Sequence, residues 1–261
     1  NLIGFYDNDS SNSKKVSDEL SCKCFNSFEL LLDEVDVIDI VTPTPSHFHY
    51  ASIALTNKKH IFIEKPITGN LKEAKQIISL AKENSVKGQV GHVERFNPAY
   101  LHVKDKINTP MFIETHRLAE FNPRGTDVPV ILDLMIHDID IILDIVKSDI
   151  KNISSSGISI ISKSPDIANA RIEFVNGCVA NLTASRISLK NMRKIRIFQE
   201  ENYISIDFFK KDCEVVIMKD FSNEGSTNGL ILENEEGIKK QITIDKSKIN
   251  NSNAILEELE S

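Results

Sequence analysis

An apolar stretch at residues 128–146 carries polar side chains at regular intervals. They are Asp133, His137, Asp140 and Asp144. Spacings of four, three and four residues place them along one stripe of an α-helix. Carboxylates and an imidazole leave water only when hydrogen bonds or ion pairs replace the lost hydration. The stripe therefore indicates either proton-transfer chemistry or a core helix whose last two acids face solvent or cap neighbouring groups.

The residue types suit removal of a proton from an alcohol. A dehydrogenation by hydride transfer needs a base within hydrogen-bond reach of the hydroxyl, and imidazole titrates near neutrality, which favours His137. Asp133, one turn earlier, can orient that imidazole or bind a neighbouring hydroxyl. Lys65, followed by Pro66 at a predicted strand end, can place its ammonium beside a developing alkoxide. Which of Lys65 and His137 passes the proton is left open, and a solvated surface role is the alternative for Lys65.

Composition excludes several classes of protein. The chain has 261 residues, which suits two domains, and its net charge of −7 with no large basic cluster disfavours nucleic-acid binding. Four cysteines form no CxxC pair and no trio of histidines has zinc spacing, so we expect no metal site and a reducing compartment. Because no uncharged apolar run reaches membrane-spanning length, we expect a cytoplasmic protein with no membrane contact.

The first part of the chain alternates between strand and helix patterns. Strand-like runs lie at 1–6, 22–25, 37–41, 60–63 and 86–93, and helix patterns at 13–20, 27–34, 46–57 and 70–83. The run 37–41, β-branched and apolar apart from Asp39, is typical of a strand covered on both faces. The alternation predicts an α/β fold, a Rossmann-like doubly wound parallel sheet, in a dinucleotide-binding domain at residues 1–97.

The second part predicts an α+β domain at residues 98–261 with a large, mostly antiparallel sheet. A helix at 97–106 and a strand at 111–118 precede the polar-striped helix. Strand-like runs follow at 153–161, 167–174, 179–185, 193–198, 203–208, 214–218 and 239–244, with a hairpin signal at Asn176-Gly177. Alternating apolar residues at 195, 197, 204, 206 and 208 fit a face covered in an oligomer or ordinary packing onto helices.

The glycine-rich GxGxxG turn of dinucleotide-binding sheets is not found in this sequence. Asp7 nevertheless ends the first predicted strand as a ribose-binding acid ends the second strand of such sheets, although a turn role is equally open. We therefore expect the natural protein to extend beyond both ends of this chain, with its first strand and turn missing here. Asp7 and Asp9 favour NAD over NADP, whereas Lys14 and Lys15 keep NADP open.

Three motifs together resemble one enzyme family. Residues 64–66 read EKP, Thr42-Pro43 precedes His47 as in a TPxxxH-type loop, and Asp133 with His137 forms a DxxxH pair. In this order they resemble the Gfo/Idh/MocA oxidoreductases. The resemblance implies Lys65 and His137 as the catalytic pair, with Asp133 beside them. Our candidates for cofactor binding are Asp7, Thr42, Pro43, His47, Glu64, Lys65 and Asn97. For His47 a packing role, and for Asn97 an N-cap role, are the alternatives.

Two further segments narrow the resemblance. Residues 91–98, GHVERFNP, and 121–125, FNPRG, are similar to the branch acting on nucleotide-linked amino sugars, such as UDP-N-acetylglucosamine 3-dehydrogenases. Candidate substrate contacts are Arg95, Arg117, Arg124 and Asp133, since guanidinium groups grip diphosphates or carboxylates. Exposed arginines without a functional role are the alternative.

The resemblance implies an NAD(P)-dependent dehydrogenase acting on a secondary alcohol of a sugar or nucleotide sugar. It also implies a homo-oligomer, dimer or tetramer, formed through the C-terminal sheet. Two alternatives stay open: a non-catalytic dinucleotide-sensing regulatory protein of the same fold, and a dehydrogenase of a non-sugar substrate such as a dihydrodiol. Joint presence of Lys65, Asp133 and His137 favours catalysis, because a sensor does not need a proton-transfer set.

Overall fold

The chain forms two compact units in a computed structural model, residues Asn1–Gly91 and His92–Ser261. The structure describes residues 2–123, 126–221, 230–233, 235–246, 248–250 and 252–261. This division lies six residues before the domain boundary that the sequence predicts, after residue 97. Among the described residues, every helix is too short or too polar to span a bilayer.

Unit 1 is an α/β unit with parallel strands. In chain order its elements are α1 (Ser10–Leu20), α2 (Phe28–Glu34), β1 (Val37–Ile40), α3 (Thr44–Thr56), β2 (His60–Glu64), α4 (Leu71–Glu83) and β3 (Gly88–Gly91). The described strands pair in the order β1-β2-β3, all parallel. This arrangement confirms the Rossmann-like architecture expected from the alternating pattern.

Capping residues fix where the helices of unit 1 begin. Ser27 accepts a hydrogen bond from the Leu30 amide at the start of α2, and Asn70 accepts one from the Glu73 amide at the start of α4. Both caps were predicted. The start of α3 was predicted at Ser46 but lies at Thr44, because a proline is tolerated in the first helical turn, where its missing N–H has no partner to lose.

The first predicted strand is reduced to a single bridge. Phe5 pairs in parallel with Cys24, and no longer ladder forms at 1–6 or 22–25 among the described residues. Strand β1 also differs from expectation, because Ile38 and Ile40 are buried whereas Val37 is 56% exposed. The strand is therefore covered on one face, where Ala51 and Leu55 of α3 pack.

Unit 2 is built on a large sheet. Its helices are α5 (Pro98–Val103), α6 (Ile136–Ile145) and α7 (Ala254–Glu260), and a π-helical segment, Ile131–Met135, leads into α6. Its strands are β4 (Phe112–Leu118), β5 (Ile150–Ile158), β6 (Ile167–Phe174), β7 (Val179–Ser185), β8 (Met192–Phe198), β9 (Asn202–Asp207), β10 (Asp212–Asp220), β11 (Leu230–Glu233) and β12 (Lys239–Asp245).

The described strands of unit 2 form one mainly antiparallel sheet, in the order β11-β12-β10-β9-β8-β4-β7-β6-β5. Strands β4 and β7 form its parallel pair. Gly177, at φ +90°, turns the chain between β6 and β7, which confirms the Asn-Gly hairpin. The short strand β11 was not predicted.

One face of this sheet forms the core of unit 2. Ile195, Ile197, Ile204 and Ile206 are fully buried, and they belong to one cluster with Ile141 of α6. The alternating apolar residues of β8 and β9 thus pack into the core, as the second of the two sequence interpretations proposed.

The acids late in the polar stripe are paired inside unit 2. Asp144 accepts hydrogen bonds from the Tyr100 hydroxyl at 2.5 Å and the Lys104 ammonium at 2.7 Å, which ties α6 to α5. Burial alone would favour the neutral acid, but these two donors hold the pKa of Asp144 at about 2. Asp140 is 8% exposed and bonds Arg95. Of the two roles expected for these acids, facing solvent or capping neighbouring groups, the structure shows the second.

Asp144→Asn should make the free energy of unfolding less dependent on pH in the acid range. The folded-state pKa is lowered, so the stabilisation is complete above the unfolded-state pKa of about 3.9 and is lost as the pH falls towards 2. We expect the free energy of unfolding, measured in urea, to be roughly 2 kcal/mol larger for wild type than for D144N at pH 7. This difference should vanish near pH 2. The exposed Asp149→Asn is the control; a D144N difference that does not change with pH would contradict the assignment.

Candidate active site

The motif residues of unit 1 lie at one edge of its sheet. Thr42 and Pro43 follow β1, and Lys65 follows β2. The two strands are parallel neighbours with Ile40 opposite Ile63, so their carboxyl ends meet at the same edge. This is the edge at which open α/β sheets bind ligands.

Glu64 and Gly91 lie together at the ends of β2 and β3, where they form the last pair of that ladder. A Cβ at Gly91 would come within 3.3 Å of the Glu64 carboxyl carbon and 3.2 Å of the Phe62 ring. The Lys65 amide donates to Glu64 Oε2 at 3.3 Å. Glu64 therefore contacts the backbone of the neighbouring lysine, and its role in cofactor binding stays a prediction.

His47 is buried, with 1% of its surface exposed. Its Nδ1 lies 2.8 Å from the Pro66 carbonyl oxygen and its Nε2 lies 2.7 Å from that of Thr42. Both ring nitrogens thus face backbone acceptors of this chain. Direct contact of His47 with a cofactor, as the sequence proposed, is not favoured by this geometry.

Asp7 lines a cavity of about 470 Å³ in unit 1. One carboxylate oxygen accepts from the Asp9 amide at 2.9 Å and the other from the Asn12 side-chain amide at 2.6 Å. Ser10 and Lys14 also line this cavity. A carboxylate oriented by two donors beside hydroxyl groups fits a ribose diol, and the adjacent Lys14 carries the charge that a 2′-phosphate would need.

Asp133 lines a second cavity, of about 280 Å³, in unit 2. Asp133 belongs to the π-helical segment, and His137 follows in the first turn of α6. Single π-helical turns are rare in proteins, and those that occur often lie at functional sites. The other described residues that line this cavity are Ala119, Glu120, Asn122, Leu134, Arg186 and Asn191.

Arg186 was not singled out from the sequence. It is 2% exposed and donates to Asp166 at 2.9 Å and to the Val128 carbonyl oxygen at 2.7 Å. Asp166 also accepts hydrogen bonds from three backbone amides, those of residues 160–162. These bonds, of which that from Ser162 has the largest effect, hold the pKa of Asp166 far below its usual range. These contacts fix one wall of the cavity.

Arg117 lies in a buried ion network. It donates from Nε and Nη2 to Asp138, the latter at 2.7 Å, and from Nη1 to Glu94 at 2.8 Å. Only 2% of Arg117 is exposed. Burial raises the pKa of Asp138, and the neighbouring Arg117 opposes that rise. With its donors on these carboxylates, Arg117 is placed for a structural role; direct substrate contact remains only a sequence prediction.

Arg95 and Asn97 are also engaged within unit 2. Arg95 forms a two-point ion pair with Asp140, with both N–O distances 2.7 Å. Asn97 caps α5 by accepting from the Ala99 amide, and its side-chain amide donates to Glu94 and to the Phe208 carbonyl. The N-cap interpretation of Asn97 is thus confirmed. Arg124 lies outside the described residues.

Asp138, like Arg186, was not singled out from the sequence. It follows His137 directly but falls off the stripe that begins at Asp133, and its partner Arg117 lies on a strand 21 residues earlier. An acid within an apolar helix was the available signal. Among the described residues, no three or more His, Cys, Asp or Glu side chains are grouped to hold a metal ion.

Comparisons with known proteins agree with this fold. Residues 1–92 match the family model described as "Oxidoreductase family, NAD-binding Rossmann fold", and residues 80–205 match "GFO/IDH/MocA C-terminal domain". UDP-N-acetylglucosamine 3-dehydrogenase of Acidithiobacillus ferrooxidans is 37% identical over 82% of this chain and 69% of its own length. The scyllo-inositol 2-dehydrogenase (NAD(+)) of Bacillus subtilis is 31% identical over 67% of this chain and 57% of its own length.

Solved structures show the same architecture. The structure of UDP-N-acetylglucosamine 3-dehydrogenase GnnA from Acidithiobacillus ferrooxidans superimposes with a TM-score of 0.85 at 32% identity, covering 99% of this chain and 78% of that one. WlbA dehydrogenase from Bordetella pertussis, solved with NADH and UDP-GlcNAcA, gives a TM-score of 0.72 over 79% of this chain and 66% of that one. Its 14% identity shows a common fold only.

A parallel α/β unit that matches an NAD-binding family model, followed by a unit with a large, mainly antiparallel sheet, is the architecture of a class of nicotinamide-dependent oxidoreductases. The chain belongs to the Gfo/Idh/MocA oxidoreductase family. It is an NAD-binding dehydrogenase by that membership, and the resemblance seen in its three motifs is confirmed.

Arg117→Met should destabilise unit 2 strongly. The substitution keeps most of the side-chain volume but removes the counter-charge of buried Asp138 and leaves Glu94 with the more distant Arg193, 3.8 Å away, which costs about 3–5 kcal/mol. Urea unfolding should show this loss. Arg171→Met is the control, because Arg171 pairs with Glu173 on an exposed surface and should change stability by less than about 1 kcal/mol. Equal effects of the two substitutions would contradict the buried network.

Proposed function

We propose that this protein oxidises a ring hydroxyl of a UDP-linked N-acetylated amino sugar, with NAD as hydride acceptor. The observation that carries the proposal is the 37% identity to a UDP-N-acetylglucosamine 3-dehydrogenase, together with the motif set of Lys65, Asp133 and His137. The broader alternative, oxidation of a free polyol, draws on the inositol dehydrogenase relative.

The residues of unit 1 would hold the dinucleotide. Asp7 would accept hydrogen bonds from the ribose hydroxyls of the adenosine half, and the loops at Thr42-Pro43 and Glu64-Lys65 would flank the rest. When bound, NAD accepts a hydride at its nicotinamide ring. We favour NAD over NADP, because the Asp7 carboxylate would repel a 2′-phosphate.

His137 would take the hydroxyl proton, because the alcohol must lose a proton as its hydride leaves. Asp133 would bind the hydroxyl next to the reacting one. Lys65 would stabilise the oxygen with its ammonium while negative charge develops there. The assignment rests on residue types and motifs, and the position of Asp133 in the wall of a cavity supports it.

The cavity beside Asp133 suits a sugar ring. Its volume of about 280 Å³ is near the lower end for small-molecule sites, and polar side chains line it. The side-chain oxygen of Asn191 accepts a hydrogen bond from the Glu120 backbone amide. This bond orients the side-chain NH₂ group of Asn191. We propose that Asp133 and Asn191 contact sugar hydroxyl or acetamido groups here, and that Arg124 contacts the diphosphate.

His137→Ala should reduce kcat by about 10²–10⁴-fold without a change in NADH affinity, because a lost base affects the proton step alone. Nicotinamide absorbance with UDP-N-acetylglucosamine, UDP-glucose and myo-inositol, and NADH fluorescence for binding, measure the two quantities. His49→Ala is the control, since His49 is exposed on α3 in unit 1.

The outcomes of this experiment separate the candidate functions. Turnover of UDP-N-acetylglucosamine above the other two compounds supports the proposal, and preference for the polyol supports the alternative. NADH binding with no turnover of any compound would favour the dinucleotide sensor. Unchanged kcat in H137A would remove His137 from the mechanism.

We also propose that the protein forms a homo-oligomer through the open face of its large sheet. This face is opposite the core and carries a row of aromatic side chains across three strands. Phe198 lies between Phe112 and Tyr203, with ring centroids 5.8 Å and 4.8 Å away, and is 37% exposed. Aromatic residues in an exposed patch are typical of protein interfaces.

Phe198→Glu should therefore yield a smaller species. A charge in the centre of an apolar contact area opposes association, so light scattering should give a dimer or tetramer for wild type and a monomer for F198E, with unchanged circular dichroism. Leu20→Glu, at an exposed position of unit 1, is the control. A monomeric wild type, or an F198E variant of wild-type mass, would contradict the proposed interface.

We propose a cytoplasmic location on the basis of the thiols. Cys22, Cys24, Cys178 and Cys213 are free, and burial raises the pKa of Cys178 to about 11, which keeps it protonated and unreactive. Free cysteines are typical of reducing compartments. Disulfide-bonded protein isolated from cells with blocked thiols would contradict this location.

A further inference from the structure

Two loops at the carboxyl edge of the sheet in unit 1 are joined by one side chain. The loop after β1 carries Thr42 and the loop after β2 carries Lys65-Pro66. Backbone hydrogen bonds between the strands end with β2, whose last residue, Glu64, pairs with Gly91. Beyond that point, the loop that holds Lys65 needs contacts of another kind to fix it.

The imidazole of His47 supplies such a contact. His47 is separated from Thr42 by five residues and from Pro66 by nineteen, yet its nitrogens lie 2.7 Å and 2.8 Å from their carbonyl oxygens. A neutral ring donates a hydrogen bond to one of these carbonyls, and a protonated ring donates to both. The contact with Pro66 is the one that connects the two loops.

His47 is held on a rigid element. It lies in the first turn of α3, whose Ala51, Ala54 and Leu55 are fully buried against the sheet. The ring itself is 1% exposed, so packing fixes its direction. A side chain fixed in this way can impose a position on a flexible loop.

Lys65 lies between two fixed points. Glu64 before it belongs to the strand ladder, and the carbonyl of Pro66 after it faces His47. We infer that His47 is a positioning residue: through its Nδ1 contact with the Pro66 carbonyl it sets the place of the Lys65 ammonium. This inference rests on the proposed function, in which Lys65 stabilises the reacting oxygen.

Three substitutions of His47 separate its two contacts. His47→Phe keeps a ring of similar size and removes both hydrogen bonds. The amide nitrogen of His47→Asn falls near the place of Nδ1 and can donate to Pro66, whereas that of His47→Gln falls near the place of Nε2 and can donate to Thr42. His49→Phe, on the exposed side of the same helix, is the control.

We expect kcat to fall about 10–100-fold in H47F, because an ångström-scale displacement of a catalytic group has an effect of this order. H47N should recover most of the lost rate and H47Q should resemble H47F, with KM for the sugar unchanged throughout. The inference would be overturned by equal kcat values in H47N and H47Q, or by a wild-type kcat in H47F. It would also be overturned if the decrease in kcat across the variants paralleled the decrease in their midpoints of thermal unfolding.

Hydrogen exchange tests the contact without any substrate. In the full chain, amides of residues 67–70 should exchange faster in H47F and H47Q than in wild type, H47N and H49F. If wild type turns over no sugar, the proposed function fails while this measurement still decides whether His47 fixes the loop. Exchange that is equal in H47N and H47Q would overturn the inference regardless of activity.

Discussion

The buried guanidinium of Arg117 is the interaction on which the arrangement of unit 2 depends. It joins strand β4, the helix that carries His137 and the short turn at Val93–Phe96, because its two carboxylate partners lie on the latter two elements. Burying charge is costly unless every group is paired, so this network permits few alternative packings of α6 on the sheet. The direction of the helix is thereby fixed next to the predicted base.

A second set of ion pairs acts on the same helix from its other side. Asp140 holds Arg95, and Asp144 holds Tyr100 and Lys104. The acids of α6 therefore contact three separate segments of unit 2, the sheet, the turn at 93–96 and α5. An apolar helix with a few paired acids has one stable orientation, whereas an entirely apolar helix could rotate on its neighbours at small cost.

Local sequence patterns predicted most helices and strands, whereas contacts between residues far apart in the chain could not be predicted. Ser27 and Asn70 fixed helix starts because a cap acts within three residues, and the alternation from 167 to 185 gave two strands and their turn. The motifs located Asp133 and His137. The sequence could not reveal that Asp144 meets Tyr100 or that Asp138 meets Arg117, because these partners lie 44 and 21 residues away. For the same reason the sequence could not reveal the contact of His47 with the Pro66 carbonyl, nineteen residues away.

The π-helical segment before α6 has a consequence for the geometry of Asp133 and His137. A π-helical turn is closed by a hydrogen bond between residues five apart, so it holds one residue more than an α-helical turn. Asp133 lies in this wider turn and His137 in the α-helical turn that follows, so tightening the segment to an ordinary α-helical turn would change the direction of Asp133 relative to His137.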